Sequence, residues 1–349
     1  MHIHLIAPTH RLADGSLHKT TRYWTSGTTL PYLKSLTPAP HTVSFTDELM
    51  HDLDLAAIER TADVVGITAM GPQIQRAFEL ADHFRAQGKQ VVLGGTQVTL
   101  TPEVSLQHAD AVVAGEAEFI WSHVLDDLAA GRSRGIYRAP RWHDLRDLPA
   151  FDYESLPLLK PDAFRSSWLY RKYFFWPVLF SRGCPHPCEY CAVQTFYKRT
   201  FRTRPVDDVV HEIRSLARLG ANRLLLLDDN PVAHPEKAKE LFRAMIPERV
   251  QWVGQCTINV ARDPELLDLT ARSGARILSI GFESLNEESL EQVRKGFNKP
   301  SRYKEDIAKL QKRGIHVIAL VMVGLDGDSI ETFPAVLRWL DENKISFLK

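Results

Sequence analysis

Four cysteines stand in a chain of 349 residues, and three of them, Cys184, Cys188 and Cys191, share one short run, SRGCPHPCEYCAVQ. Their spacing is C-x3-C-x2-C, and Pro185 and Pro187 discourage a helix through the loop. Thiolates are the standard ligands of iron–sulfur clusters, and three on one loop can hold three corners of a cluster and leave one open. A structural zinc site with His186 as fourth ligand is the competing reading. Such sites more often pair two knuckles from separated segments, and no second knuckle occurs in this sequence. Three thiols so close together also speak for a reducing compartment and against a disulfide framework. Cys256 stands apart, and a lone cysteine is more often a small buried residue than a ligand.

The loop needs a scaffold, and the surrounding sequence supplies one. WPVLFSRG, RLLLLDD, VQWVGQCT, RILSIGFES, HVIALVMVGL and ISFLK, beginning at Trp176, Arg223, Val250, Arg276, His316 and Ile345, read as six strands. Amphipathic runs from Val206, Pro235, Pro264, Ser301 and Ile330 read as the helices between them, with Asp207 and Asp263 as start signals and Gly220, Gly274 and Gly314 as stops. Six such units fall short of the roughly 250 residues of a closed eight-fold barrel. A partial (β/α)6 barrel over 176–349 is expected, with the cysteines directly after its first strand. Nothing follows the sixth strand, so the chain reads as a minimal or clipped version without a C-terminal extension.

The first 130 residues show a second alternation. IHLIAP, HTVSF, DVVGIT, QVVLGG and DAVVAG, beginning at Ile3, His41, Asp63, Gln90 and Asp110, read as buried strands. Between them, Gln73 to Gln87 places Ile74, Ala77, Phe78, Ala81 and Phe84 on one helical face. The expectation is an α/β chain: a five-strand, doubly wound, Rossmann-like parallel sheet over 1–130, whose ligands sit at the carboxyl edge of the strands. Residues 131–175, rich in Pro and Arg without a sustained period, read as a linker.

Composition narrows the function classes. Lys and Arg number 43 and Asp and Glu 43, so bulk electrostatic binding of nucleic acid is not indicated. No apolar run is long enough for a membrane span, and the N-terminus lacks the features of a signal peptide, so a cytoplasmic protein is expected. Between Lys160 and Arg204 lie nine basic residues, two acidic ones and twelve aromatics. Interleaved Arg and aromatic side chains can clamp single-stranded RNA. The plainer reading makes Phe174 to Trp176 and Phe180 core, with Arg199, Arg202 and Arg204 approaching an anionic substrate.

With its cysteine loop in this barrel context, the chain resembles the radical S-adenosylmethionine (radical SAM) superfamily over nearly its whole length. The resemblance implies a 4Fe–4S cluster on Cys184, Cys188 and Cys191, with Tyr190 as the aromatic residue before the last cysteine. It also implies S-adenosylmethionine as a cofactor, cleaved by one-electron reduction to methionine and a 5′-deoxyadenosyl radical. Asp229 and Asn230 in LLLLDDN then stand near the methionine amino group, together with Asp228. Glu283 and Ser284 in GFES stand near the ribose, Lys295 in VRKGFN near the methionine carboxylate, and Gly324 in VMVGLDGD near the adenine. The bland alternative for each is a polar cap on a strand or helix; Asp228 to Asn230 could merely cap the next helix.

The first domain resembles the cobalamin-binding domain joined to one large branch of that superfamily, through FTDEL, GITAM, LGGTQVTLTPE and ADAVVAGEAE in order. Thr68, Gly94, Gly95, Gly115 and Glu116 are the implied cobalamin-edge residues, with paired glycines letting the backbone approach a bulky ligand. One departure stands out: the loop after the first strand has no D-x-H-x-x-G, and His10 and His18 do not replace it at the right spacing. The lower axial ligand is therefore open. The resemblance implies C-methylation of an unactivated carbon of a small-molecule or lipid substrate, as in hopanoid and bacteriochlorophyll methylases, with a flavodoxin or ferredoxin as electron donor. A cobalamin-free radical oxidoreductase or cyclase, a tRNA-modifying radical enzyme and a non-enzymatic iron–sulfur or cobalamin sensor are the alternatives. Methylthiotransferases acting on tRNA carry three further cysteines, and this chain has one left.

Overall fold

Short β-branched and leucine runs, buried on both faces, build parallel sheets, because each strand must be covered by the helix that returns the chain to its start. The computed structural model describes residues 1–20, 25, 27–133, 135–149, 151, 153, 155 and 174–349. It divides the chain into two units, Met1–Phe174 and Phe175–Lys349. Most of the basic, aromatic stretch before Phe174 lies outside the described residues.

In the first unit, β1 (His2–Ala7), β2 (Thr42–Asp47), β3 (Val64–Thr68), β4 (Gln90–Gly94), β5 (Ala111–Ala114) and β6 (Gly135–Arg138) form one parallel sheet in the order β2-β1-β3-β4-β5-β6. The helix Ile74–Ala86 buries Ala77, Leu80, Ala81 and Phe84 against it, beside Val65, Val91 and Leu93. Asp54 caps the helix Leu55–Thr61 by accepting from the Ala57 N–H at 2.9 Å. The strand order reverses between β1 and β3, and such a reversal opens a crevice at the carboxyl ends.

The sheet has six strands where five were expected. The sixth, GIYR, falls inside the stretch read as linker and pairs with β5 from Ala111↔Gly135 to Ala114↔Arg138. Only Tyr137 of its four residues is buried, so the segment carries almost no hydrophobic pattern to announce a strand.

In the second unit, β7 (Trp176–Val178), β10 (Arg223–Leu226), β11 (Gln251–Cys256), β12 (Ala275–Glu283), β13 (His316–Val321) and β14 (Phe347–Leu348) lie side by side in sequence order, all parallel. The intervening helices fall where the pattern put them. Val206–Arg218 buries Val209, Val210, Ile213 and Leu216, and Asp263 caps Pro264–Arg272 through the N–H groups of Glu265 and Leu266. Of the aromatics read as core, Phe174 and Phe180 are buried, whereas Phe175 and Trp176 are only half-buried.

The first of these strands is shorter than WPVLFSRG suggested. After Val178 the chain turns away, and β8 (Ser181–Arg182) pairs antiparallel with β9 (Arg202–Thr203). Asp228 is the cause. Its fully buried carboxylate accepts from the N–H of Phe180 at 3.1 Å and from both the N–H and the hydroxyl of Ser181.

Candidate cofactor-binding site

The cysteine loop leaves β8 through Gly183, whose φ is +86° and whose missing Cβ would stand 2.2 Å from the Thr200 carbonyl oxygen. Only glycine fits that approach. Beyond it, the Cys191 N–H donates to the Cys188 carbonyl at 3.1 Å, and the Glu189 N–H ties the loop to the Val293 carbonyl at 3.1 Å. Cys188 is buried, Cys184 and Cys191 are half-buried, and all three are free thiols. Burial pushes the thiols of Cys184 and Cys188 up; the Lys295 charge draws Cys188 back down, and donors from His186 and Asn230 do the same for Cys184.

This donor set suits a cluster better than a single ion. Cys184, Cys188 and Cys191 bring three thiols together on one loop, and thiolates are the standard ligands of iron–sulfur clusters. In a cluster each thiolate takes a different iron. His186, the alternative zinc ligand, lies stacked on the Phe297 ring with centroids 4.3 Å apart.

Beside the loop, a charged network closes over the end of β12. Lys295 Nζ donates to Glu283 Oε1 at 2.7 Å and to the Tyr190 hydroxyl at 3.1 Å, with Glu283 and Lys295 both buried. Glu283 sits at a register slip in β12 with φ +65°, a left-handed backbone that a non-glycine residue adopts only under constraint. Asn298 supplies part of that constraint by donating to the carbonyls of Gly281 at 2.9 Å and Phe282 at 3.2 Å. Burial, then the neighbouring Glu283 and Cys188 charges, hold the Tyr190 phenol above its ordinary range, so it stays protonated. Ser284 is buried, and its hydroxyl accepts from the Asn286 N–H at 3.0 Å.

The end of β10 divides its three polar residues. Asp228 is structural, as described, and burial pushes its carboxyl up to about 6. Asp229 accepts from the Gly183 N–H at 3.2 Å, and burial raises its carboxyl too. Asn230 lies against Cys184. Gly324 is exposed with φ +94° and open space where a Cβ would be, its N–H on Asp328 at 2.8 Å. Cys256 is buried and its thiol is pushed up to about 12, the behaviour of a small core residue.

Of the arginines after the loop, Arg202 and Arg204 are half-buried, whereas Arg199 is exposed. Arg204 pairs with Glu212 at 2.5 Å and donates to the Leu179 carbonyl at 2.8 Å. Arg199 donates to Gln194 at 3.3 Å, and Arg202 lies 5.7 Å from the centre of the Tyr197 ring.

At the carboxyl edge of the first sheet, the five residues named from the sequence separate by environment. Gly115 has φ +101° with nothing within 4 Å of its missing Cβ, and its N–H donates to Thr99 at 2.9 Å. Such a bare, open backbone fits a large planar ligand. Gly94 has only ordinary contacts at 3.8 Å with Val113. Gly95 is different: its Cβ would meet the Ala69 carbonyl at 2.7 Å and the Thr68 hydroxyl at 2.8 Å, so the glycine is required by the adjoining strand. Glu116 is buried and accepts the His143 N–H at 2.9 Å, anchoring a later loop. His10 and His18 face one another after β1, ring centroids 4.8 Å apart. Sequence reasoning did not single out Glu48, Gly183 or Asn298. Glu48 is buried on Arg76 at 2.7 Å and receives the Thr9 N–H at 3.1 Å. Its only sequence signal is a charged residue at a strand end within FTDEL.

Comparison with known proteins places both units. The radical SAM superfamily matches residues 178–340, and the B12 binding domain matches residues 35–125. Bacteriochlorophyllide d C-12(1)-methyltransferase of Chlorobaculum tepidum is 34% identical over 289 residues, 82% of this chain and 62% of that protein. Hopanoid C-2 methylase of Rhodopseudomonas palustris is 23% identical, with 82% of this chain and 54% of that protein covered. The chain thus spans less than two thirds of either relative. Among solved structures, the radical SAM methyltransferase TsrM of Kitasatospora setae, with cobalamin and a [4Fe-4S] cluster bound, matches with a TM-score of 0.73 at 17% identity, over 99% of this chain and 74% of that one. That likeness is one of fold.

Proposed function

For a chain that belongs to the radical SAM superfamily and joins that domain to a B12-binding domain, we propose cobalamin-dependent methylation of an unactivated carbon on a small-molecule or lipid substrate. The observation that carries the reading is a loop of three free thiols beside a buried Lys295–Glu283 pair that reaches the exposed Tyr190, in a chain that also holds an open glycine edge. When bound, the 4Fe–4S cluster and S-adenosylmethionine supply the hydrogen-abstracting radical, and cobalamin supplies the methyl group.

The chain's own part is binding, orientation and exclusion of water. Cys184, Cys188 and Cys191 hold the cluster, with Gly183 fixing the direction in which their loop leaves the sheet. Lys295 is the cation for the carboxylate of S-adenosylmethionine, and Asp229 is the acceptor for its amino group. Glu283 and Ser284 face the ribose, Gly324 leaves room for the adenine, and Tyr190 covers the loop with a phenol that keeps its proton. In the first domain Thr68, Gly94 and Gly115 line the corrinoid edge, while Gly95 and Glu116 shape it from behind.

The names of the relatives point to a tetrapyrrole or a polycyclic lipid as substrate. The electron comes from a flavodoxin- or ferredoxin-type donor in a reducing compartment. Among the described residues no helix is long and apolar enough to cross a membrane.

The test is an anaerobic assay of the reconstituted holoenzyme with S-adenosylmethionine, a reductant and bacteriochlorophyllide or hopanoid candidates. Matched amounts of 5′-deoxyadenosine and S-adenosylhomocysteine, with a methylated product, are expected. 5′-Deoxyadenosine without S-adenosylhomocysteine would replace methylation by cobalamin-free oxidation or cyclisation. Neither product from an intact cluster would leave a sensor.

A further inference from the structure

Asn230 ends the LLLLDDN run and is 2% exposed. Its side-chain amide is held at both ends. Nδ2 donates to Cys184 Sγ at 3.8 Å, and Oδ1 accepts from the Thr257 backbone N–H at 3.4 Å. The second contact settles the first: a backbone N–H can be met only by the amide oxygen, so the NH2 end must face the sulfur. The residue's own backbone carbonyl accepts from the Ala233 N–H at 3.0 Å, which fixes the main chain beneath it. The same sulfur is also reached by the His186 backbone N–H.

We propose that Asn230 is a positioning residue for the cluster: its N–H···S hydrogen bond to Cys184 sets the potential at which the cluster accepts an electron. This rests on the reading of Cys184, Cys188 and Cys191 as cluster ligands. The reasoning is electrostatic. Reduction adds one negative charge to the cluster and its sulfurs, with no bond formed or broken, and the electron comes from an external one-electron donor. An N–H dipole aimed at a ligand sulfur stabilises the reduced form more than the oxidised one, and hydrogen bonds to the sulfurs are among the recognised determinants of cluster potential. Burial strengthens the effect, since little water competes for the sulfur. Thr257, one residue beyond β11, aims the amide, so the tuning group is oriented from the neighbouring strand.

Two variants separate this role from a structural one. Asn230→Ala removes the donor without adding charge. Asn230→Asp keeps an acceptor for Thr257 but loses the donor. Wild type and both variants are reconstituted anaerobically, their iron and sulfide are quantified, and their midpoint potentials are measured by dithionite titration with electron paramagnetic resonance. The expected result is full cluster loading with a negative shift in both variants, on the order of a tenfold loss in the reduced-to-oxidised ratio at a fixed potential, or about 59 mV for one electron. Loaded variants with unmoved potentials overturn the inference and leave the cluster reading standing. A shift confined to Asn230→Asp overturns it as well, because added charge would then be the cause. Loss of iron from both variants replaces tuning with a role in assembly. A wild type that takes up no iron sinks the cluster reading itself.

Discussion

Among the described residues each unit holds a six-stranded parallel sheet, yet the two sheets form their carboxyl edges in opposite ways. In the first, the order β2-β1-β3 reverses direction, and the reversal itself opens the crevice. In the second, each strand lies beside its neighbour in sequence, so the polar residues that end β10, β11 and β12 line up along one rim. Three glycines illustrate the contrast, although Gly95 in the first unit and Gly324 in the second run the other way. Gly115 in the first unit faces open space, whereas Gly183 and Gly281 in the second make room for the protein's own atoms. A Cβ on Gly281 would stand 2.3 Å from Glu283 Oε1 and 2.7 Å from Lys295 Nζ. The backbone at Gly115 is bare, whereas Gly183 and Gly281 are pressed by a backbone carbonyl and by charged groups beside a loop of thiols.

The contrast can be broken most sharply at the cysteines. Cys188→Ala should abolish iron binding and the visible iron–sulfur absorbance, while corrinoid uptake by the same protein persists. Iron content and spectra of the reconstituted variant check both halves, and an intact cluster would remove the second unit's assignment.

A smaller effect separates the glycines. Gly183→Ala forces the Thr200 backbone to move and should cost about 4 kcal/mol or more, in the range reserved for severe substitutions. Gly115→Ala meets no atom and should cost only the left-handed backbone penalty, about 1–2 kcal/mol, while weakening corrinoid binding. Denaturant unfolding measures the first quantity and cobalamin titration the second. Equal costs at the two sites would erase the distinction between a bare backbone and a pressed one.

The smallest effect is a difference in sign. His4 on β1 is buried between Ser44 and Thr46, and burial lowers its imidazole from 6.5 to about 4. The unfolded chain therefore binds that proton more readily, so the stability from His4 is complete above pH 6.5 and is lost as pH falls towards 4. Asp228 runs the other way. Burial raises its carboxyl from 3.8 to about 6, so the folded protein holds the proton more tightly and stability falls as pH rises across that window. Each slope is at most about 1.4 kcal/mol per pH unit. Hydrogen exchange, read separately for β1 and β10 peptides between pH 4 and 6.5, should show the trends diverging. His4→Gln and Asp228→Asn should each flatten their own.

These outcomes also mark what sequence reading can reach. The cysteine loop, the hydrophobic strands and the capped helices are legible because their signals are local: spacing, period and a capping residue within a few positions. GIYR escaped because only one of its four residues is buried. The break after Val178 escaped because its cause, Asp228, lies 47 residues from Ser181. Gly95 and Glu116 were named as ligand-edge residues through the resemblance, and contacts with Ala69 and His143 show further demands on them. Asn230 was named from its place after a strand, but its sulfur partner is 46 residues away and leaves no linear trace.

Lys295 and Glu283 form a buried pair that carries no net charge before anything enters. A plain anion that captured Lys295 would strand Glu283 without a counter-charge, which costs several kcal/mol in a buried setting. A zwitterion faces no such barrier. An amino-acid end, carrying one ammonium and one carboxylate, can exchange partners with the resident pair while the number of uncompensated charges stays at zero. On the function proposed above, the pair would discriminate by charge parity as well as by shape.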